Sequence, residues 1–403
     1  MLGKVASVAA YAAAVTGGAL DGLRVLDLST LFAAPQIAAM LGDLGADVVK
    51  VEPPGGDPLR GMGAAAGPSP TWAFVGRNKR SVVLDAGTDD GRELLHRLTE
   101  AADVVVENLP RPVLERWQCT YEELSARNPR VVVVTVSAYG TTGPYAGRPG
   151  AGTLAEAFGG LTHLTGEADG PPMLSSVPIG DTVTALAGVI GALAACYQRD
   201  ARGGPGQHVD VSMYEPILQL VGNSLVRHDD RAQPPRRSGS RVAGGVPRNV
   251  YETRDREWIA VSGTTDAQVA RLLPLLGLDS IADAARFGTA TARLAAADEL
   301  DAHVARWVAA HDRDDTLARL LEARIPAAPV HDLASILADP QVLARASVVT
   351  VDAGELGAVR MPAPFPRLGT TPGSIRTAGP ALGAHTDEVV REWLGLSSSP
   401  PGP

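Results

Sequence analysis

The sequence predicts an α/β protein: an open, Rossmann-like parallel sheet forms a large domain, and a smaller α+β domain accompanies it. Three observations carry that reading. From Leu23 onward, short β-branched runs, several of them nearly all valine, alternate with helical stretches, the pattern of parallel strands covered on both faces. The chain has 403 residues, beyond the roughly 250–300 at which a single core stops growing. Between Arg227 and Arg248 the composition changes to Arg, Pro, Gly and Ser, which marks a linker between two lobes.

Residues 1–19 read as an N-terminal extension. Lys4 precedes an Ala/Val-rich run, but alanine dominates it, Tyr11 interrupts it and a strand follows at once, so it is not taken for a secretory signal. Residues 20–226 form the first part of the large domain, with strands expected at Arg24–Leu28, Asp47–Glu52, Ser81–Leu84, Asp103–Glu107, Val131–Val136 and His208–Met213. Helices are expected at Pro35–Leu44, Asp90–Ala101 and Tyr121–Ala126. A long helix is expected to start at Asp181 and to stop before Gly203-Gly204-Pro205-Gly206. Its uncharged stretch Thr182–Tyr197 is rich in alanine and glycine, which suits a buried helix rather than the ~20-residue apolar run of a membrane span. Residues 227–344 hold the linker and small domain, with a hairpin over Asn249–Val261 and helices at Ala267–Leu276, Glu299–Ala310 and Asp315–Ala323. Residues 345–403 return to the large domain through the Pro-rich Met361–Pro366 and end in a helix at Thr386–Leu394.

A net charge of −9 argues against nonspecific binding to nucleic acid, whose affinity comes from neutralising phosphates. A phosphorylated ligand must therefore meet a local basic patch, and Arg77, Lys79, Arg80, Arg111 and Arg116 are the candidates, with a solvated charged face as the plain alternative. The two cysteines, Cys119 and Cys196, form no CxxC and fit a reducing, cytoplasmic compartment. Neither HxH nor Hx3H spacing occurs among the eight histidines, so no metal site is expected. The first strand runs into Ser29-Thr30-Leu31-Phe32-Ala33-Ala34-Pro35 with no GxGxxG, which excludes a nicotinamide cofactor as the expected ligand. P-loop, zincin and lipase motifs are missing as well. On pattern alone the sequence stops at a two-lobe α/β protein.

Ordered segments go further. Leu20–Ser29, Leu44–Asp57, Arg77–Ser81, Ala102–Asn108, Ser137–Gly140 with Thr142–Tyr145, Leu164–Glu167, Gly170–Pro172, Gly180-Asp181, Gly203–Val211, Ile325–Val330 and Leu382–Thr386 together resemble the family III coenzyme A transferases. That group includes formyl-CoA:oxalate and carnitine CoA-transferases and the related α-methylacyl-CoA racemases. The resemblance implies an interlocked homodimer in which each chain is an open ring threaded through its partner. CoA and acyl-CoA are implied as substrates, with no tightly bound cofactor, metal, membrane or nucleic-acid partner. CoA is expected along the carboxyl edge of the sheet near Phe32, Ala33, Leu84, Asp85, Ala86, Asn108, Leu109, Pro110, Arg116, Gly150 and Ala151.

Taken alone, Asp181 before an uncharged helix reads as an N-cap. The resemblance instead implies the nucleophile: Asp181 attacks the acyl-CoA thioester, CoA moves onto the aspartyl group, and an incoming carboxylate takes it up. Gly180 lets the backbone approach closely, and free N–H groups at the helix start suit the oxyanion. Gly244-Gly245, within the linker, is a candidate lid similar to the glycine loop of some members, or a plain turn.

Two departures stand out. Ala151-Gly152 follows Arg148-Pro149-Gly150, where transferases commonly carry an aromatic residue and an acid and racemases carry His-Asp. Alanine cannot serve a two-base racemase mechanism, although a racemase or epimerase, or a catalytically silent CoA-binding subunit, stays open as an alternative. Phe32 stands where the oxalate enzyme has a glutamine, favouring a less polar substrate than oxalate.

Overall fold

The structure, a computed structural model, describes residues 17–64, 67–228, 236–242 and 244–396. The extension therefore lies outside the described residues, except for Gly17, Gly18 and Ala19. The described chain divides into two compact units. One comprises the residues up to 161, 174–226 and those from 341 onward; the other comprises 162–173 and 227–340.

The larger unit is built on a six-stranded sheet in the order β3-β2-β1-β4-β5-β6. Its strands are β1 (Arg24–Asp27), β2 (Asp47–Glu52), β3 (Lys79–Val83), β4 (Val104–Glu107), β5 (Val132–Ser137) and β6 (His208–Ser212), and every pairing is parallel. Each lies within two residues of its expected position. Alternation along the strands explains both cores. Val25, Val104, Val106, Val132 and Val134 face the helices Ala33–Asp43 and Ile179–Ala201. Leu26, Val105 and Val133 face the opposite side, where Leu95, Leu98, Leu124, Val389 and Trp393 complete the packing. Local chemistry starts the covering helices. Thr88 accepts the Gly91 N–H at 3.1 Å ahead of Asp89–Glu100, and Thr120 forms a capping box with Glu123 ahead of Tyr121–Arg127.

The helix Ile179–Ala201 is long and apolar enough to cross a bilayer by length and composition. It is buried on one face only, so the expectation of a buried helix needs correction. That face is stripped of side chains for close packing: a Cβ at Gly188 would lie 2.2 Å from Ile37 Cδ1, and one at Gly191 would lie 2.5 Å from Val209 Cγ1. The other face exposes Ile190 and Tyr197.

The basic cluster expected to meet phosphate is engaged internally. Arg77 is buried against Asp43 at 2.7 Å, Lys79 Nζ reaches Asp27 Oδ2 and the Pro35 carbonyl at 2.7 Å each, and Arg80 pairs with Asp47, Glu388 and Glu392. Burial by itself would push the Asp27 carboxyl up, but Lys50 and Lys79 hold it below its ordinary value. These pairs tie β1, β2 and β3 to one another and to the C-terminal helix Thr386–Leu394.

The second unit carries an antiparallel sheet in the order β7-β8-β9, with β7 (Arg248–Glu252), β8 (Trp258–Ser262) and β9 (Ala327–Pro329). The hairpin expected over Asn249–Val261 is β7 and β8. Helices Asp266–Leu275, Ala297–Ala309 and Arg313–Glu322 close a core around Ile259, Leu272, Val304 and Leu320. Residues 162–173 join this unit through Arg237, which donates to the carbonyls of His163, Glu167 and Gly170.

Candidate active site

The strand order reverses between β1 and β4, which places a crevice at their carboxyl ends, where open α/β sheets bind ligands. Thr30 and Asn108 bridge it reciprocally: the Thr30 N–H donates to Asn108 Oδ1 at 2.8 Å, and Asn108 Nδ2 donates to the Thr30 carbonyl at 2.9 Å. The segments expected to hold CoA all follow carboxyl ends of strands. Leu84, Asp85 and Ala86 follow β3; Phe32 and Ala33 follow β1; Asn108, Leu109 and Pro110 follow β4; Gly150 and Ala151 follow β5. Phe32 packs toward Leu59, Trp72 and Val75. Arg116 is exposed and has no ion pair among the described residues, whereas Arg111 pairs with its helix neighbour Glu115 at 2.9 Å.

Asp181 belongs to the same edge. Its helix ends at Ala201 and the chain then enters β6 in parallel with β5, so the helix runs back toward the amino edge and begins at the carboxyl edge. Asp181 is not the N-cap. The helix starts at Ile179 with Pro178 as its cap residue, and Asp181 stands in the first turn. Glycines crowd it: a Cβ on Gly152 would lie 2.1 Å from Asp181 Oδ2, and one on Gly180 would lie 2.4 Å from the Gly152 carbonyl oxygen. Gly150 is pressed in the same way against Ala138 at the end of β5, a Cβ there falling 2.3 Å from the Ala138 Cβ. The segment 150–152 thus runs along the end of β5 and reaches Asp181, with glycine required at both contacts.

The free donors expected at the helix start are mostly taken. Ile179 N–H donates to the Val177 carbonyl at 2.8 Å, Thr182 N–H to the Pro178 carbonyl at 3.0 Å, and Gly180 N–H to Glu156 Oε1 at 2.9 Å. What remains beside the carboxyl is the N–H of Asp181 itself. Burial pushes the Asp181 carboxyl above its ordinary value, its own N–H pulls it back in part, and the negative charge of Glu156 raises it further. A carboxylate raised in this way is a stronger nucleophile than a solvated one. Neither thiol competes for that role: both cysteines are buried, and burial pushes Cys119 up to about 12 and Cys196 up as well.

Sequence reasoning missed Glu156. It sits on the helix Gly152–Phe158, is 1% exposed, and reaches Gly180 across 24 positions of chain. The signal was an acid without a nearby basic residue inside the Ala/Gly-rich stretch 150–162. An aromatic wall was missed too. Phe158 meets Tyr139 and Tyr214 edge-on at 5.1 Å each, and Arg148 covers Tyr145 at 3.7 Å. The lid candidates Gly244 and Gly245 belong to the second unit, where Gly244 approaches Arg227 and Gly245 packs on Thr264. Among the described residues no cluster of His, Cys, Asp and Glu is arranged to hold a metal ion.

Comparison with known proteins gives the same family. The sequence profile described as CoA-transferase family III matches residues 20–386. The chain is 37% identical over 381 residues to a succinyl-CoA–D-citramalate CoA-transferase of Chloroflexus aurantiacus, covering 94% of each chain. It is 38% identical over 383 residues to the beta subunit of a succinyl-CoA–L-malate CoA-transferase of the same organism, again covering 94% of each. Among solved structures, a CAIB/BAIF family protein from Brucella suis superposes with a TM-score of 0.83 at 32% identity, covering 94% of this chain and 100% of the other.

Proposed function

The chain belongs to CoA-transferase family III, and we propose that it carries CoA from an acyl-CoA thioester to a free carboxylic acid through a covalent intermediate on Asp181. The observation that supports this reading most is the Asp181 carboxyl itself. It is half-buried, raised above its ordinary value and lies in the space that the missing side chain of Gly152 leaves open.

Four steps close the cycle without water. An Asp181 oxygen bonds to the acyl carbon, the C–S bond breaks, and CoA leaves as thiolate with the electron pair. The thiolate then attacks the Asp181 carbonyl of the mixed anhydride and expels the first carboxylate. The acceptor carboxylate attacks the resulting aspartyl thioester, CoA leaves again, and in the last step it attacks the acceptor's carbonyl and releases Asp181 as a carboxylate. In the middle two steps the oxyanion develops on the side chain of Asp181, beside its own N–H. A racemase reading lacks support at Ala151, which offers no proton acceptor.

The relatives' names make succinyl-CoA with hydroxylated dicarboxylic acids the first pairs to try. CoA itself is assigned to the strand-end segments after β1, β3, β4 and β5, with Arg116 toward its phosphates. Incubation with a panel of acyl-CoA donors without acceptor, read by mass spectrometry, should place a hydroxylamine-sensitive CoA adduct on the Asp181 peptide. Asp181→Asn should lose both adduct and turnover; near-normal turnover in that variant would refute the covalent route.

A homodimer fits the exposed apolar face carrying Ile190 and Tyr197, together with exposed Leu220, Leu225 and Val226, since a face of that kind marks an interaction surface. A monomeric mass by light scattering at micromolar concentration would overturn it. Buried, unpaired thiols fit a cytoplasmic location, which cell fractionation would test.

A further inference from the structure

Glu156 is a buried carboxyl that folding alone does not explain. It is 1% exposed, and its carboxylate accepts the Gly180 N–H at 2.9 Å. A glutamine carbonyl would accept that bond equally well without an ionised group being taken out of water, which is costly when no cation accompanies it. None does: no salt bridge to Glu156 occurs among the described residues, in contrast to Asp27, Asp43 and Glu52, each of which has a Lys or Arg partner.

We propose that Glu156 is a positioning residue for the transfer reaction: it fixes the first turn of the Asp181 helix through Gly180 and sets a second negative charge beside Asp181, raising the free aspartate in energy relative to its acylated forms. The inference rests on the assignment of Asp181 as nucleophile. In the mixed anhydride and in the aspartyl-CoA thioester the Asp181 side chain is neutral, so the repulsion exists only in the free enzyme and is relieved when the C–O or C–S bond forms. The interaction therefore favours the covalent state, which is where a differential contribution helps the reaction.

Charges on the other packed elements are committed elsewhere. The helix Ile179–Ala201 is packed by Ala33–Asp43, Gly152–Phe158, Tyr214–Leu220, β5 and β6. Asp43 is paired with Arg77, Glu215 is exposed, His208 bonds Thr135, Asp210 bonds Thr141, and β5 carries no titratable group. Arg199, at the far end of the helix, is occupied by Asp103 and Asp200. The Asp181 carboxyl feels Glu156 accordingly.

The test compares wild type, Glu156→Gln, Glu156→Asp and Asp181→Asn, using whichever acyl-CoA of the panel labels wild-type Asp181, succinyl-CoA being tried first. Because activity requires ionised Asp181, the acid limb of kcat/KM follows its titration. In Glu156→Gln that limb should move to lower pH, and the CoA adduct on Asp181 at pH 7 should fall in step with it. Glu156→Asp keeps the charge but withdraws it by one methylene, and should show a smaller shift in the same direction; it also serves if Glu156→Gln is insoluble. An unchanged acid limb and adduct level in the Glu156 variants, with Asp181→Asn inactive, would overturn the role of Glu156 alone. Retained turnover in Asp181→Asn would remove its premise instead.

Discussion

Gly152 and Asp181 share a contact that admits no side chain: a β-carbon on Gly152 would stand 2.1 Å from Asp181 Oδ2 and 3.0 Å from the Asp181 nitrogen. Asp181 Oδ2 thus occupies the space that a side chain at position 152 would fill. Gly152→Ala is expected to keep the fold while displacing the carboxyl, lowering kcat by about 10²-fold, the scale of a 1 Å misplacement. Steady-state kinetics with circular dichroism on the same sample check this; near-wild-type kcat would show that the site tolerates the shift.

Arg116, proposed to meet the CoA phosphates, is exposed and without an ion pair among the described residues, whereas Arg77, Lys79 and Arg80 are engaged internally. Arg116→Ala should raise KM for acyl-CoA about tenfold with kcat nearly unchanged, the signature of uniform binding. The effect should shrink at high salt. Arg111→Ala, which breaks only an exposed helix pair, should change little.

Glu107, at the carboxyl end of β4, couples the loop that follows β4 to pH. Its Oε2 accepts the Leu109 N–H at 2.8 Å. Burial pushes its pKa from 4.5 to about 7 despite hydrogen bonds from Thr135 and Leu109, and Asp210 adds to the rise. The folded state therefore binds this proton more tightly than the unfolded chain, so stability falls as pH rises from 4.5 through 7 and is level above that. Glu107→Gln removes the ionisation. Its stability relative to wild type should grow across that window by up to roughly 3 kcal/mol, measured by denaturant unfolding at a series of pH values; a pH-independent difference would contradict it.

Lys79 supports Asp27 from inside the sheet, both side chains being fully buried. Lys79→Met leaves Asp27 with the more distant Lys50 at 3.9 Å and should destabilise the fold by about 3–5 kcal/mol, the usual consequence of stranding one partner of a buried pair. Arg80→Ala, at a partly exposed network, should cost nearer 1 kcal/mol. Equal losses in the two variants would show that burial is not what distinguishes them.

By itself the sequence determined where the six strands of the parallel sheet lie, and the helices Ala33–Asp43, Asp89–Glu100, Tyr121–Arg127 and Ile179–Ala201 to within two residues, but not the strand pair Val348–Asp352 with Ala358–Pro362 or the helix Gly152–Phe158. Valine runs buried on both faces, the capping residues Thr88 and Thr120, and the break at Gly203–Gly206 act within a turn or a strand, and such short-range signals are present in the local chain. It also carried the family, through motifs spread in order from Leu20 to Thr386. Only the tertiary structure decided how distant groups pair. Arg77, Lys79 and Arg80 looked like a phosphate patch, yet their partners Asp43, Asp27 and Asp47 lie 33 to 52 positions away, on other strands of the sheet and a covering helix. Ile179 rather than Asp181 begins the helix, and Glu156, 24 positions from Gly180, takes one of the donors expected to be free. Spacing along the chain does not encode such contacts: ion pairs and close backbone approaches form between segments that only the packed sheet brings together.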